Sequence, residues 1–341
     1  MKKTLCERRI GDTGVTVTEV GFGGAHLGEL FEGVPDDQAQ ATLAAAWEGG
    51  MRLYDTAPYY GHGLSEHRVG DFLRRRERSR YVLSTKVGRV LKAARDLERF
   101  DRGVWTGALP FEFHYDYTYD GIMRSWEDSL QRLGLPSVDL LLVHDLDSLL
   151  QTTEQRLTAH ESQLYASGAR ALEELRRDGR IGAIGAGINV RPAIRRLIDL
   201  VDLDFFIVAM PYTLLDQDVL DGDFPLCQER GVSVVIGSPF ASGILVTGPK
   251  EGATYAYGPA PPEILEKAGR IQQVCRRHDV PLPAAALQFA LAHPLVSAVI
   301  PGAVHPDQVR SNLASWAHEI PADLWAELKA EGLIREDAPT P

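Results

Sequence analysis

Hydrophobic and polar positions follow a repeating order along this chain of 341 residues: an amphipathic stretch ends at glycine, and a short apolar run follows. The order recurs at Gly49-Gly50, at Gly179 and at Gly231. A glycine just beyond the last turn of a helix ends that helix in the left-handed conformation. The repeat therefore predicts helices that alternate with buried strands, as in α/β proteins with a parallel sheet.

Eight apolar runs have the length of such strands, and several are almost continuously apolar, as strands covered on both faces are. They span residues 18–22, 52–55, 81–86, 138–144, 181–185, 205–210, 232–236 and 297–300. Ahead of the first run, residues 8–10 and 15–17 flank the turn sequence Gly11-Asp12-Thr13-Gly14, which predicts a β-hairpin. We therefore expect residues 1–341 to form one α/β domain, a single (β/α)8 TIM barrel with an N-terminal β-hairpin over its bottom.

Composition and charge narrow the range of functions. Hydrophobic residues make up 44% of the chain and charged residues 24%, and the formal net charge of −11 gives no attraction for nucleic acid or anionic lipid. The cysteines, Cys6, Cys227 and Cys275, have no CxxC spacing, which argues against a disulfide framework or a thiolate zinc site. No apolar run has the length of a membrane helix, and residues 1–9 lack a signal peptide's apolar stretch, so we expect a cytoplasmic protein. Because the charge does not favour nucleic acid or membrane, we expect its partner to be a small-molecule substrate.

Four polar side chains come at or just beyond the ends of consecutive predicted strands: Asp55, one tyrosine of the pair Tyr59-Tyr60, Lys86 and His144. Barrel enzymes hold their catalytic groups at this face, so we expect the four to converge. A nearby Lys86 ammonium would lower the pKa of that tyrosine from its ordinary value of about 10, and Asp55 would hold that ammonium in place. Considered alone, Asp55 could instead cap a helix, and Lys86 could be an edge-strand residue whose side chain extends to solvent. Together with His144 as a hydrogen-bond partner for a substrate oxygen, they indicate proton transfer beside a carbonyl or carbinol carbon.

Two other kinds of site are weaker alternatives. His144, Asp145 and Asp147 have the residue types of a metal site, but no His-x-His pair lies at an early strand end, and we expect no metal. The glycine-rich residues 21–24 and 185–187 leave the GxGxxG pattern of dinucleotide-binding folds incomplete.

The chain resembles the aldo-keto reductase family from residue 10 to residue 302, and residues 55–66, 84–88 and 142–145 carry the resemblance. The resemblance implies a (β/α)8 barrel that binds NAD(P) in an extended form without a Rossmann domain. It also implies a catalytic tetrad of Asp55, Tyr60, Lys86 and His144. Tyr60 is assigned rather than Tyr59 because the family's catalytic tyrosine directly precedes a glycine, here Gly61.

Residues 113–120, 125–133 and 144–147 further resemble the aldose-dehydrogenase branch of that family, which includes D-threo-aldose (L-fucose) 1-dehydrogenases and the similar pyridoxal 4-dehydrogenases. This likeness implies an NAD(P)-dependent oxidoreductase that acts on CH-OH and oxidises the anomeric carbon of an aldose to a lactone. Pyridoxal, oxidised through its hemiacetal to 4-pyridoxolactone, is the alternative substrate. A cofactor-binding subunit with little turnover is the alternative on the same fold.

The resemblance assigns cofactor contacts as well, with departures from the family's usual residues. Asn189 corresponds to the residues that hold the nicotinamide amide, Ala209 replaces a usual glutamine, and Gly237 replaces a stacking aromatic residue. We expect Asn189 and Ser238, which follows Gly237, to contact the cofactor.

The segment after the last strand bears on the choice of cofactor. NADP-using members of the family carry there a lysine and then an arginine, whereas this chain has Gly302 and Gln308. Because a 2′-phosphate needs cationic donors and Asp307 would repel it, we expect NAD to be preferred over NADP, with Asn312 available to adenine. A shifted register, in which Arg310 or His305 meets the phosphate, is the alternative.

Three connections after strand ends are long for βα loops, at residues 88–118, 146–168 and 241–262. The first carries Trp105 and Phe111, whose aromatic faces suit a sugar or a pyridine ring. We expect the first two connections to select the substrate; surface decoration is the alternative.

Overall fold

Strands and helices alternate through most of the computed structural model, which describes residues 4–341. Within these residues the strands are β1 (Glu7–Arg9), β2 (Thr16–Thr18), β3 (Phe22–Gly23), β4 (Leu53–Asp55), β5 (Val82–Val87), β6 (Arg89–Ala93), β7 (Phe111–Tyr115), β8 (Leu140–His144), β9 (Ala183–Ile188), β10 (Phe205–Val208), β11 (Ser233–Ile236), β12 (Thr254–Tyr255), β13 (Gly258–Pro259) and β14 (Val296–Val299).

The helices lie mainly between these strands and cover the outside of the sheet. They are α1 (Asp36–Glu48), α2 (Leu64–Leu73), α3 (Tyr119–Leu133), α4 (Ser148–Gln151), α5 (Glu154–Gln163), α6 (Ala169–Arg177), α7 (Pro192–Ile198), α8 (Asp223–Glu229), α9 (Ile244–Thr247), α10 (Pro262–Arg277), α11 (Leu282–Ala292), α12 (Pro306–Ala317) and α13 (Ala322–Ala330). One π turn, Leu164–Gly168, joins α5 to α6. No helix within residues 4–341 is long and apolar enough to cross a membrane.

Eight parallel strands form a barrel in the described part of the chain, in the order β3-β4-β5-β8-β9-β10-β11-β14. Parallel bridges from Val20 to Val299 and from Gly23 to Gly302 join the first strand to the last and close it. The predicted (β/α)8 TIM barrel is therefore confirmed. The strand predicted at residues 18–22 is displaced to Phe22–Gly23, because residues 16–18 form the second strand of the hairpin instead.

The predicted N-terminal hairpin, β1 paired with β2, is present and lies at the amino ends of the barrel strands. Its turn donates the Gly11 backbone N–H to Ser233 Oγ at 2.9 Å, at the start of β11. Ile10 and Val17 are buried and pack with apolar side chains of the barrel interior, including Phe205. The hairpin thus covers the bottom of the barrel and leaves the carboxyl ends of the strands open to a ligand.

The three long connections contain regular structure rather than open loop. Residues 88–118 fold into the antiparallel pair β6–β7, residues 146–168 hold α4 and α5, and residues 241–262 hold α9 and the short pair β12–β13. Backbone hydrogen bonds within these pairs and helices hold side chains in fixed positions above the strand ends.

Candidate active site

A cavity of about 470 Å³ opens at the carboxyl ends of the barrel strands. Asp55, Tyr60, Lys86 and His144 all line it, so the structure brings together the four residues that the sequence analysis selected. Asp55 and His144 are the last residues of β4 and β8, and Lys86 is the last but one of β5. Parallel strands end on one rim of a barrel, which explains why residues so distant in sequence meet here.

Lys86 and Asp55 form a buried ion pair. Lys86 Nζ donates to Asp55 Oδ1 at 2.8 Å and Oδ2 at 2.7 Å, and to the Thr56 carbonyl at 2.8 Å. Ser84 Oγ donates to Asp55 Oδ1 at 2.7 Å, so the carboxylate is held from two sides. With the Lys86 side chain 2% exposed, removal of Asp55 would leave an unpaired buried ammonium, a change that is strongly destabilising in proteins.

Tyr60 lies between Lys86 and His144. Lys86 Nζ is 4.6 Å from the centroid of its ring, within cation–π range, and the ring meets that of His144 edge-on at 5.7 Å. The next residue, Gly61, has a φ of +64°, which glycine adopts without strain, and the chain turns there. Tyr59 also lines the cavity, but its ring packs against Trp105 and the guanidinium of Arg89.

Burial raises the pKa of Tyr60 well above 10, and the carboxylates of Asp55 and Asp145 raise it further against the opposing Arg89. This direction is opposite to our expectation that Lys86 lowers the pKa. The largest cause is burial of the phenol, and the Lys86 ammonium, bound by both oxygens of Asp55, does not offset it. Tyr60 is therefore neutral and able to donate a proton.

His144 is neutral as well. Burial lowers its pKa well below 6.5, and the positive charges of Arg89 and Lys86 lower it further against the opposing Asp145. Its main-chain carbonyl accepts a hydrogen bond from the Tyr117 hydroxyl at 2.7 Å. A neutral imidazole has one N–H to donate, and this suits a hydrogen bond to a substrate oxygen.

A network of polar side chains that was not evident from the sequence lies behind these residues. Arg89 donates to Asp145 Oδ2 at 2.5 Å, and Asn189 Nδ2 donates to Asp145 Oδ1 at 2.9 Å. The one signal available was an arginine directly after Gly88, at the end of the strand that carries Lys86. Nothing in the sequence indicated that this side chain turns back toward His144.

The residues expected at the cofactor divide into two groups. Asn189, Ser238 and Gly302 line the cavity, together with the departures from the family pattern, Ala209 and Gly237. Asn189 donates its side-chain N–H groups to Asp145 and Asp147 and its backbone N–H to Asp147. Its Oδ1 accepts a long hydrogen bond of 3.4 Å from the Tyr257 hydroxyl and has a second lone pair available to a ligand amide.

Gln308 and Asn312 lie on α12, outside the lining of this cavity. The Gln308 side chain accepts hydrogen bonds from the backbone N–H groups of Val304 at 2.7 Å and His305 at 3.2 Å, as part of a capping box. Arg310 pairs with Asp307 at 2.5 Å.

The cavity fits the nicotinamide end of a dinucleotide. Glycines line it at four strand ends, and a Cβ at Gly187 would come within 3.5 Å of Lys86 Cε and 3.6 Å of His144 Cδ2. A Cβ at Gly302 would collide with His26 Nδ1, a buried polar atom without a hydrogen-bond partner among the described residues. To a ligand, the lining thus offers bare backbone at these glycines and, at His26, a polar atom that has no partner within the described part of the chain.

Residues 4–341 contain no group of three or more histidine, cysteine, aspartate or glutamate side chains placed to hold a metal ion. Of the three residues considered for such a site, Asp147 instead accepts from the backbone N–H groups of Leu149 and Leu150 and caps α4.

Apolar side chains form the outer wall of the cavity. Tyr59 and Trp105 meet at right angles with 5.2 Å between ring centroids, and Leu150 and Tyr257 complete the wall. Trp105 therefore reaches the position expected of it, whereas Phe111 lies outside the lining and its carbonyl contacts His62 Nδ1.

Comparison with known proteins matches residues 19–331 of the chain to the aldo/keto reductase family model. The chain is 43% identical to pyridoxal 4-dehydrogenase of Microbacterium luteolum, over 96% of this chain and 98% of that protein. It is 42% identical to D-threo-aldose 1-dehydrogenase of a Pseudomonas species, over 96% and 97%. The solved structure of an aldo-keto reductase from Bacillus halodurans in its holo form superposes with a TM-score of 0.74 at 28% identity, covering 97% of each chain.

Proposed function

Since the chain belongs to the aldo/keto reductase family, whose enzymes use a nicotinamide cofactor, we propose that it oxidises the anomeric carbon of an aldose of the L-fucose or D-threo type to a lactone. The observation that carries the proposal is the convergence of Tyr60, Lys86 and His144 at one end of a glycine-lined cavity. Each of the three groups can take part in proton transfer, and the Lys86 nitrogen is engaged by Asp55 and the Thr56 carbonyl rather than free to attack a substrate.

The chain's own residues would act on the cyclic hemiacetal form of the sugar. His144 donates a hydrogen bond to the anomeric hydroxyl oxygen, and Tyr60, as tyrosinate, accepts the hydroxyl proton. The C–H bond at the anomeric carbon breaks with its electron pair, and the new C=O bond completes the lactone. When bound, oxidised nicotinamide supplies the hydride acceptor and a positive charge that favours tyrosinate.

Pyridoxal is the second candidate substrate, and the apolar wall of Tyr59, Trp105 and Leu150 favours it. Pyridoxal also forms a cyclic hemiacetal, and the same proton acceptor and hydrogen-bond donor would oxidise it to a lactone. Its flat pyridine ring suits stacking on aromatic side chains, whereas a sugar needs more hydrogen-bond partners.

A substrate panel tests the proposal. Purified protein is incubated with L-fucose, D-arabinose, L-galactose or pyridoxal and with NAD or NADP, while NADH or NADPH absorbance is followed and the product is identified by mass spectrometry. We expect lactone from at least one aldose. Turnover of pyridoxal alone would replace the aldose by the second candidate, and cofactor binding without turnover of any substrate would favour a cofactor-binding subunit.

For the cofactor, we propose a preference for NAD. Gln308 is uncharged and caps α12, and Arg310 is paired with Asp307, whose carboxylate would repel a 2′-phosphate. We expect kcat/KM to be higher with NAD than with NADP, and Gln308→Arg to shift the ratio toward NADP. The control Arg310→Gln should leave the ratio unchanged; a fall in NADP use with that variant would favour the shifted register and contradict the proposal.

A further inference from the structure

Arg89 is a buried cation beside the proposed active site, outside the four residues assigned to proton transfer. It is the first residue of β6, directly after Gly88, and its side chain is 1% exposed. Burying a guanidinium is costly unless its hydrogen-bond donors are used; both Nη atoms of Arg89 have partners, and Nε has none within residues 4–341.

The contacts of Arg89 converge on His144 and its neighbours. Nη1 lies 2.5 Å from Asp145 Oδ2 and 3.2 Å from His144 Nδ1, and Nη2 lies 3.0 Å from the Tyr115 hydroxyl. The face of the guanidinium lies 4.0 Å from the centroid of the Tyr59 ring. Packing thus fixes the guanidinium in position against the imidazole.

The contact with His144 determines where the imidazole proton lies. A guanidinium has only donors and remains protonated in proteins, so in this pair Nδ1 of His144 must accept. A neutral histidine whose Nδ1 accepts carries its hydrogen on Nε2. Nε2 is then the nitrogen left to donate to a ligand in the cavity that His144 lines.

We propose that Arg89 is a positioning residue, which holds His144 as the Nε2–H tautomer and keeps the Asp145 carboxylate from taking that hydrogen. Nε2 lies 3.4 Å from Asp145 Oδ2, close enough for Asp145 to compete with a substrate oxygen. Arg89 binds that same oxygen, and Asn189 binds the other. The inference rests on the role proposed above for His144 as donor to the substrate oxygen.

The charges around His144 agree with this assignment. Asp145, Arg89 and Lys86 are the charged groups that act on the imidazole, and the neutral Tyr60 ring meets its edge. After burial, which lowers the pKa of His144 most, Asp145 raises it while Arg89 and Lys86 lower it. Loss of Arg89 would remove one lowering charge and leave Asp145 less opposed, so the pKa of His144 would rise.

Nitrogen-15 NMR of the imidazole rings tests the proposal on the ligand-free protein, with His144→Gln identifying the His144 signals. In the wild type we expect the Nε2–H tautomer. In Arg89→Met we expect the Nε2 hydrogen to bind Asp145, which shifts the Nε2 and Hε2 signals, together with a higher pKa of His144. In Arg89→Lys, which keeps a donor and a charge, we expect a partial return toward wild type. A wild-type His144 with its hydrogen on Nδ1, or an unchanged His144 in Arg89→Met, overturns the proposal. Where Arg89→Met fails to fold, Arg89→Lys supplies the comparison with the wild type.

Arg78→Met is the matched control. Arg78 also pairs with a carboxylate, Asp139 at 2.7 Å, but at the opposite end of the barrel, where the chain enters β8. We expect this control to leave the His144 signals and turnover unchanged. In steady-state kinetics Arg89→Met should lower kcat by about 10²-fold, the scale for losing one donor to a developing oxyanion, with NADH affinity retained. Absence of turnover with every substrate would count against the proposed function and leave the NMR result to judge Arg89.

Discussion

Tyr60 and His144 are held in their neutral forms, since burial raises the pKa of the first well above 10 and lowers the pKa of the second well below 6.5. The Lys86–Asp55 pair beside them is internally neutralised. At the scale of single residues, the site is therefore prepared to donate protons. Oxidation of a substrate additionally requires the loss of the Tyr60 proton.

Replacing Tyr60 by phenylalanine should lower kcat by about 10²-fold or more, because it removes the group that exchanges the proton. Cofactor affinity, measured by NADH fluorescence titration, should persist. Tyr59→Phe is the matched control, since Tyr59 lines the same cavity but packs on Arg89 and Trp105. A disabled Tyr59→Phe beside a nearly normal Tyr60→Phe would show that the two tyrosines have been assigned in the wrong order.

The raised pKa of Tyr60 predicts how the two reaction directions depend on pH. Oxidation needs tyrosinate, a form that grows as pH rises, so kcat/KM for oxidation should increase from neutral into alkaline pH. Reduction needs the protonated phenol, so its rate should stay level through neutral pH. Rate profiles in both directions check this; an oxidation rate that falls above neutral pH would be inconsistent with Tyr60 as the base.

At the scale of elements, the two ends of the barrel have different roles. The β1–β2 hairpin fills the bottom with Ile10 and Val17, whereas β6–β7, α4 and the β12–β13 segment build walls over the strand ends. This division predicts that changes at one end affect stability and changes at the other affect substrate choice.

Ile10→Ala tests the bottom of the barrel. Ile10 is fully buried, and its truncation should lower the free energy of unfolding by about 2–5 kcal/mol through lost burial and a residual cavity. Urea unfolding measures the change, and kcat at low temperature should remain at the wild-type value. A large loss of kcat in a fully folded variant would mean that the hairpin does more than close the barrel.

Residues 94–110, between β6 and β7, test the wall. Replacing them by a short turn removes Trp105 from the cavity while retaining both strands. The ranking of aldoses against pyridoxal should change while NADH affinity stays the same. Leu97→Ser, at an exposed position of the same segment, is the control and should change neither. Equal losses for all substrates, with weaker cofactor binding, would contradict a role in selection.

Much of this arrangement could be predicted from sequence because it follows from periodicity. Strand ends in a parallel barrel share one rim, so Asp55, Lys86 and His144 could be brought together without a structure. Arg89 could not, because its approach to His144 depends on how the β6–β7 pair folds back. Nor could the capping role of Gln308, or the burial that raises the pKa of Tyr60, since these depend on local side-chain geometry.

At the scale of the whole molecule, a closed barrel presents one open end, and there a glycine-lined cavity meets a tyrosine, a lysine and a neutral histidine. The backbone leaves space for a flat cofactor, while the side chains handle the proton. Such a division, in which the cofactor takes the hydride and the protein moves the proton, is common to nicotinamide enzymes.

Isotope transfer tests this central claim most directly. The protein is incubated with NAD and with L-fucose deuterated at the anomeric carbon, or with pyridoxal deuterated at the aldehyde carbon, and the reduced cofactor and product are analysed by mass spectrometry. Direct hydride transfer predicts deuterium in the reduced nicotinamide, lactone as product, and loss of both in Tyr60→Phe. Lactone formed together with unlabelled NADH, or no lactone from either substrate, would contradict it.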